Sequence, residues 1–255
     1  MLPVVILLAD GPAGGVDKEA ARAVADEIAF ANQCVVALPD IFSVVGAKSS
    51  PAPPSSGGTR GTKAGEAQET LLAAAVSAML HCRADYAGST LLLAGVGRGA
   101  GQALRLATYV SRAKKEESAD AGYLRSIVRD DSFCNVAGVL AIEPSDYDGV
   151  DIGTSLETST LLIFSEEESG GAGDHSSNPN NLLYKALQAR GDTTGFDCGF
   201  RVYQKLHNRR YLYRPQGELE AKYRTDTISV GSTWLDCVSR REVRSGGVAV
   251  DIFSF

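Results

Sequence analysis

One stretch, Ser89 to Ala107, constrains the fold of this chain more than any other. It reads STLLLAGVGRGAGQALRLA, so a short apolar run is followed at once by glycines at alternate positions and then by an alanine- and leucine-rich segment with helical spacing. This order predicts a strand, a tight turn and a helix. Glycine suits such a turn because the strand and helix backbones come so close that Cβ atoms would clash.

Two kinds of functional site use a strand–turn–helix of this type. One is the nucleophile elbow G-x-S-x-G, which presents a reactive side chain at its apex. Here the apex position, between Gly95 and Gly99, is occupied by Gly97. The other is the dinucleotide-binding loop G-x-G-x-x-G/A, which Gly95, Gly97 and Ala100 also match. The turn alone leaves both kinds of site open.

Apolar runs and helical stripes alternate along the rest of the chain. The predicted strands are Pro3–Ala9, Cys34–Leu38, Thr90–Ala94, Val136–Ile142, Thr160–Phe164 and Phe200–Tyr203. The predicted helices are Asp17–Asn32, Glu66–Cys82, the segment from the turn to about Arg112, Asn180–Arg190 and Gly217–Val238. This alternation predicts a single α/β domain with a doubly wound, mostly parallel sheet of about six core strands and helices on both faces. The loops after the strands, at residues 10–15, 39–42, 95–99, 143–146, 165–169 and 205–208, should converge at the carboxyl edge of the sheet, where such folds place their site.

Three polar segments interrupt this pattern and are predicted to be flexible insertions, at residues 43–65, 113–132 and 166–179. The first is rich in Pro, Ser and Gly between Ser49 and Gly65. The apolar tail Val248–Phe255 is predicted to add a strand or to dock elsewhere. The insertions and the tail are therefore the expected contact surfaces for any protein partner.

Composition narrows the class of protein. The chain has 255 residues and a net charge of −6, which argues against a nucleic-acid partner because phosphate contacts need clustered Lys and Arg. Its five cysteines form no C-x-x-C pair and its three histidines are dispersed, so we expect no metal site, no cofactor and reduced thiols. No apolar run reaches the roughly 18 residues of a membrane span. We expect a soluble protein of the cytoplasm or an organelle matrix rather than a secreted one, since the apolar start lacks a charged n-region.

Six blocks, in order, resemble the dienelactone hydrolase family of α/β-hydrolases. They are the first strand with its Gly-containing loop, VVALPDIF, GVGRGAG, VAGVLAIEP, TLLIFSEEE and FRVYQKLHNR. The resemblance extends from Val4 to about Trp234. It implies an α/β-hydrolase fold and, for an active member, hydrolysis of a small carboxylic ester or lactone.

The same resemblance implies a set of site residues. The nucleophile, normally Cys or Ser, falls on Gly97, and the histidine falls on His207. The acid falls on Glu168, with Glu166 and Glu167 as near alternatives. The implied order of nucleophile, acid and histidine along the chain is that of the fold.

The implied oxyanion hole departs from the family pattern. Its donors would be the backbone N–H of Arg98 and one from the loop after the first strand, at Ala13 or Pro12. Pro12 has no N–H to donate. Asn208 stands where the family usually has Gly.

These observations lead to three hypotheses. In the first, the fold has lost its nucleophile, because Gly97 has no side chain to attack a carbonyl, and the protein is a binding or structural component. In the second, a water activated by His207 and Glu168 hydrolyses the ester or lactone directly. In the third, the turn binds a dinucleotide, with Glu116 or Glu117 at the ~20-residue spacing of the ribose-binding acid, although neither ends a strand.

Overall fold

A computed structural model describes residues 2–9, 18–44, 60–86, 89–115, 136–165, 179–194, 198–203, 206 and 211–241. The strands are β1 (Val4–Leu8), β2 (Val35–Ala37), β3 (Leu91–Val96), β4 (Val136–Ile142), β5 (Ser159–Ser165) and β6 (Cys198–Tyr203). The helices are α1 (Lys18–Asn32), α2 (Ile41–Val44), α3 (Arg60–Asp85), α4 (Arg98–Lys115), α5 (Gly149–Ser155), α6 (Pro179–Thr194) and α7 (Glu218–Arg241). All six predicted strands are present, and the predicted α/β class is confirmed.

The six strands form one sheet in the order β2-β1-β3-β4-β5-β6, and every neighbouring pair is parallel. The chain runs from β1 outward to β2 and then returns to the other side of β1 with β3. The strand order therefore reverses between β1 and β3, which is where doubly wound sheets form their crevice. The predicted turn follows β3 directly and so lies beside this reversal.

Both faces of the sheet are covered by helices. In β1, Val4, Ile6 and Leu8 pack into a core with α3, α4, α5 and α6. The alternate residues Val5 and Leu7 pack on the opposite face with α1 and α7. Successive side chains of a strand point to opposite faces, so a strand covered on both sides needs the unbroken apolar run that the sequence shows.

Two helices that border the predicted insertions are longer than the sequence predicted. Helix α3 begins at Arg60 rather than Glu66, so residues 60–65 belong to the helix and not to the insertion at 43–65. Helix α4 continues to Lys115, three residues into the insertion predicted at 113–132. A helix already anchored by its apolar turns can extend past them, because each added residue gains a hydrogen bond at low cost. Residues 45–59, 116–135 and 166–178, and the tail Val248–Phe255, lie outside the described residues.

Helix α5 has no counterpart in the sequence prediction. Its residues, GVDIGTS, have low helix propensity. The helix is capped by Asp148, whose carboxylate accepts hydrogen bonds from the backbone N–H groups of Val150 at 2.9 Å and Asp151 at 3.1 Å. It also packs closely on α6, where a Cβ added to Gly153 would be 2.4 Å from the Cβ of Ala186. Capping and tertiary packing thus override propensity here.

None of the helices in the described ranges is long and apolar enough to cross a lipid bilayer.

Candidate functional site

The apex of the turn between β3 and α4 is Gly97. Its φ of +59° lies in the left-handed region, which glycine adopts without strain. Its N–H donates to the carbonyl of Ile142 at 2.9 Å, and its carbonyl accepts from the N–H groups of Ala100 at 3.1 Å, Gly101 at 3.2 Å and Ser145 at 3.2 Å. The backbone is thus fixed on both sides, and the apex carries hydrogen in place of a side chain.

The other glycines of the turn are required by close packing. A Cβ on Gly99 would lie 1.8 Å from the carbonyl oxygen of Leu8, and one on Gly101 would lie 2.1 Å from that of Ser145. A Cβ on Gly95 would lie 2.5 Å from backbone atoms at the start of α4. These distances are far below van der Waals contact, so all three positions exclude any other residue without a backbone shift.

Arg98 connects three loops at the carboxyl edge of the sheet. It is the first residue of α4. Its Nε lies 2.8 Å from Oδ2 of Asp146, after β4, and its guanidinium lies 5.4 Å from the ring centre of Phe42, after β2. The carbonyl of Asp146 also accepts from Nη2 of Arg105 at 2.6 Å. The loops at 39–42, 95–99 and 143–146 therefore converge.

Several residues implied by the resemblance lie outside the described part of the chain. They are Pro12, Ala13, Glu166, Glu167, Glu168, His207 and Asn208. Their roles stay predictions. The described positions that flank the glutamates and His207 in the chain are Ser165, Leu206 and Tyr211, each of which is buried.

One carboxyl group in this region was missed by the sequence reasoning. Glu143 directly follows β4, the residue is 2% exposed, and its φ is +49°. Its N–H donates to the carbonyl of Ile163 at 2.7 Å, and its Oε2 accepts from the hydroxyl of Ser165 at 3.3 Å. Its place after the strand next to the turn was a signal, but burial and backbone conformation are tertiary properties.

A chain of hydrogen bonds lies at the end of β6, where the segment containing His207 begins. The hydroxyl of Thr227 lies 2.9 Å from that of Tyr211 and donates to that of Tyr203 at 3.0 Å. The hydroxyl of Tyr203 donates to Oδ2 of Asp226 at 2.9 Å, and Arg201 donates to the same oxygen through Nε at 2.9 Å and Nη2 at 2.7 Å. We call the group Tyr203, Tyr211, Asp226 and Thr227 the tyrosine corner.

Apart from Asp226, which forms an ion pair with Arg201, the side chains of the tyrosine corner are neutral. Burial raises the pKa of Tyr211 well above its usual value, and the nearby charge of Glu143 raises it further. Burial also raises the pKa of Tyr203. The pKa of Arg201 is raised, chiefly by its hydrogen bond to Asp226. Both phenols therefore keep their protons at neutral pH and remain available as donors.

Two other features of the described residues lie apart from this edge. No group of three or more His, Cys, Asp or Glu side chains within the described ranges is arranged to hold a metal ion. A groove of about 670 Å³ is lined by Pro3, Thr90, Asn32 and Ser232 among others. Because Pro3 and Thr90 precede β1 and β3, this groove opens at the amino edge of the sheet, opposite Gly97.

Comparison with known proteins identifies the fold. No protein-family model and no curated protein sequence matches this chain. Solved structures do match it. A candidate dienelactone hydrolase from Klebsiella pneumoniae has a TM-score of 0.56 at 14% identity, with 91% of this chain and 86% of that chain covered. Dienelactone hydrolase from Anabaena variabilis has a TM-score of 0.51 at 12% identity, with 92% and 85% covered. An esterase from the archaeon Pyrobaculum calidifontis has a TM-score of 0.53 at 14% identity, with 93% and 77% covered. The chain therefore has the α/β-hydrolase fold.

Proposed function

We propose that this α/β-hydrolase-fold chain is a catalytically degenerate relative of the dienelactone hydrolases and acts as a binding or structural component. The observation that carries the proposal is Gly97 at the apex of the turn. Covalent catalysis by this fold requires an oxygen or sulfur atom there to attack the carbonyl carbon. Glycine offers neither.

Of the described residues, Ser165, Cys34 and Cys198 do not supply the missing atom. The hydroxyl of Ser165 donates a hydrogen bond to Glu143, and Ser165 is 2% exposed. Cys34 precedes β2 and Cys198 opens β6, so both lie at the amino edge of the sheet. Burial also raises the pKa of the Cys34 thiol to about 11, which keeps it protonated near neutral pH. These properties favour a site without a covalent nucleophile.

A second candidate function is hydrolysis of a small carboxylic ester or lactone by a water that His207 and Glu168 activate. One observation favours it: the 18-residue helix α4 begins at Arg98, directly after Gly97. A helix N-terminus of this kind stabilises negative charge, including the oxyanion that forms during ester hydrolysis. This route needs no side chain at position 97, and it proceeds without a covalent intermediate.

The dinucleotide hypothesis is weaker than these two. In a dinucleotide loop, glycine lets the pyrophosphate approach the backbone. Of the motif positions Gly95, Gly97 and Ala100, Gly95 is already required by packing, because a Cβ there would lie 2.5 Å from the backbone of Gly99 and Ala100. A protein contact thus accounts for the first glycine of the motif. Calorimetry with NAD(H) and NADP(H) tests this alternative, and no heat of binding at millimolar ligand would eliminate it.

The test of the proposal is hydrolysis of a panel of small carboxylic esters and lactones by the purified full chain. We expect no turnover by the wild-type protein above the buffer rate. The Gly97→Ser and Gly97→Cys variants, assayed beside it, ask whether a restored nucleophile brings activity back. Robust wild-type turnover that His207→Ala abolishes would contradict the proposal and support the water-mediated route. Thermal shifts with the same compounds separate a binding role from a purely structural one.

A further inference from the structure

We propose that the groove at the amino edge of the sheet binds a neutral, polyhydroxylated small molecule, a sugar or a polyol. This groove, which we call the amino-edge groove, has a volume of about 670 Å³, and that volume is typical of small-molecule sites. It lies at the edge of the sheet opposite Gly97. The inference therefore goes beyond the proposed function and does not depend on it.

The amino-edge groove is lined by three parts of the chain, and every lining residue lies within the described ranges. One wall is the end of α1 with Gln33 after it. A second wall is formed by Leu2 and Pro3, which precede β1, and by Thr90, which precedes β3. The third wall is one face of α7, because its lining residues recur three and four positions apart. They are Ser229, Ser232, Thr233, Asp236, Ser239 and Arg240.

Two buried polar atoms of this lining have no hydrogen-bond partner among the described residues. They are Oγ of Ser232, a residue that is 8% exposed, and Oδ1 of Asn32. A buried polar atom is destabilising unless a partner meets it. The hydroxyl of Ser232 reorients by rotation about a single bond, so it can turn to a molecule in the groove. Because the two atoms belong to two walls of one groove, they indicate a ligand site there.

Three polar side chains of the lining already donate a proton to the backbone. Thr233 donates to the carbonyl of Ser229 at 2.9 Å, and Ser239 donates to the carbonyl three residues before it, also at 2.9 Å. The amide nitrogen of Asn32 donates to the carbonyl four residues before it at 2.9 Å. The two hydroxyls keep their lone pairs, and the amide keeps its oxygen as an acceptor. These side chains therefore suit a ligand that brings several O–H donors.

The charge of the lining favours a neutral ligand. Its charged residues are Asp236 and Arg240, whose Oδ1 and Nε lie 2.9 Å apart, so the lining has no net charge. An anion would meet hydroxyl lone pairs and a guanidinium that already contacts a carboxylate. Leu2 and Pro3 add apolar contacts, which suit the C–H groups of a sugar or a cyclic polyol. A neutral, partly apolar donor of hydrogen bonds is thus the ligand that this lining fits.

The experiment is an amide NMR titration of the isotopically labelled full chain, with glucose, myo-inositol and trehalose as probes. We expect saturable shifts at the backbone amides of Gln33, Thr90 and Ser232. The dissociation constants should be about 1–10 mM, the range that ligands of this size support. Spermidine and inorganic phosphate, titrated beside them, should produce no saturable shift at these amides.

Two variants and a matched control tie the binding to the amino-edge groove. Ser232→Ala removes an unpartnered hydroxyl, so the free chain should be at least as stable as the wild type, whereas binding should weaken about 3- to 10-fold. Thr233→Val removes hydroxyl lone pairs and should also weaken binding. Thr225→Val should leave binding unchanged, because Thr225 makes the same bond to the carbonyl four residues before it, at 3.0 Å, but does not line the groove.

Four results would overturn the proposal. The first is the absence of saturable shifts with every neutral probe at about ten times the expected dissociation constant. The second is saturation by spermidine or phosphate alone, which would assign the groove to a charged ligand. The third is wild-type affinity in both Ser232→Ala and Thr233→Val. The fourth is a Ser232→Ala chain that is less stable than the wild type, which would show that the hydroxyl has a partner within the fold. None of them depends on turnover at Gly97.

Discussion

The turn at Gly97 and the tyrosine corner lie along the same edge of the sheet, and different contacts hold them. At the turn, backbone atoms pack directly against backbone atoms, so closely that a Cβ added to Gly99 would lie 1.8 Å from the carbonyl oxygen of Leu8. At the corner, side chains meet side chains, because one hydroxyl, that of Thr227, joins Tyr203 and Tyr211 at 3.0 and 2.9 Å. The segment containing His207 begins after one of these tyrosines and ends before the other.

The difference shows what each region can tolerate. At Gly95, Gly99 and Gly101 the turn has no space for an added Cβ, and at its apex a positive φ opposes any side chain. The corner has polar atoms that become costly when a partner is removed, since a buried hydroxyl without a hydrogen bond is destabilising.

Gly99→Ala should be the most damaging single-methyl change. Its Cβ would be placed 1.8 Å from the carbonyl oxygen of Leu8, so β1 and α4 must separate. We expect a loss of about 3 kcal/mol or more in the free energy of unfolding, or no folded protein. Gly217→Ala is the matched control, because nothing lies within 4 Å of its Cβ and only its φ of +88° opposes it. Urea unfolding measures both, and equal losses would contradict the packing argument.

Thr227→Val should destabilise the tyrosine corner, because it removes a hydroxyl while keeping a side chain of nearly the same size and shape. It leaves the buried hydroxyls of Tyr203 and Tyr211 without this partner, and we expect a loss of about 2–3 kcal/mol. Thr227→Ser keeps the hydroxyl and should lose much less. Thr225→Val, on the exposed side of the same helix, should change stability by less than about 0.5 kcal/mol. Hydrogen exchange should accelerate in peptides covering residues 203–211 only in Thr227→Val. Unchanged exchange there would show that the corner does not hold this segment.

Gly97→Ser should fold with a moderate loss. A side chain at a φ of +59° costs about 1–2 kcal/mol. Thermal unfolding of the variant beside the wild-type chain measures this cost. A loss as large as that of Gly99→Ala would mean that the apex is packed like the rest of the turn.

Asp146→Asn should have the smallest effect. The ion pair between Asp146 and Arg98 is partly exposed on both sides, so its contribution is below about 1 kcal/mol. Asparagine also accepts the φ of +58° at this position. The difference from the wild-type chain should shrink further in 0.5 M salt, at about a 4 Å screening length. A loss that salt does not reduce would point to a role other than the ion pair.

The sheet was predictable from sequence because its strands are covered on both faces, and this requires the unbroken apolar runs that start at Val4, Leu91 and Val136. The turn was predictable because glycines at alternate positions have few other uses. Helix α5 was not predictable, since its stability comes from the Asp148 cap and from contact with Ala186, neither of which is a property of its own residues.

The site was less predictable than the fold. Gly97 and Arg98 could be located because they follow a strand directly. Glu143 also follows a strand directly, but an acidic residue before a proline, here Pro144, is equally typical of a solvent-exposed turn. Its burial and its φ depend on contacts with Ile163 and Ser165, which come from a different part of the chain.

The most direct test of the account is covalent labelling of the wild-type chain. The protein is incubated with a fluorophosphonate or an activated ester, and its intact mass is measured beside that of Gly97→Ser and Gly97→Cys. Because the apex of the turn carries only hydrogen, we predict no stoichiometric adduct on the wild-type chain. A stoichiometric adduct that His207→Ala abolishes would contradict the account, and peptide mapping would locate the nucleophile.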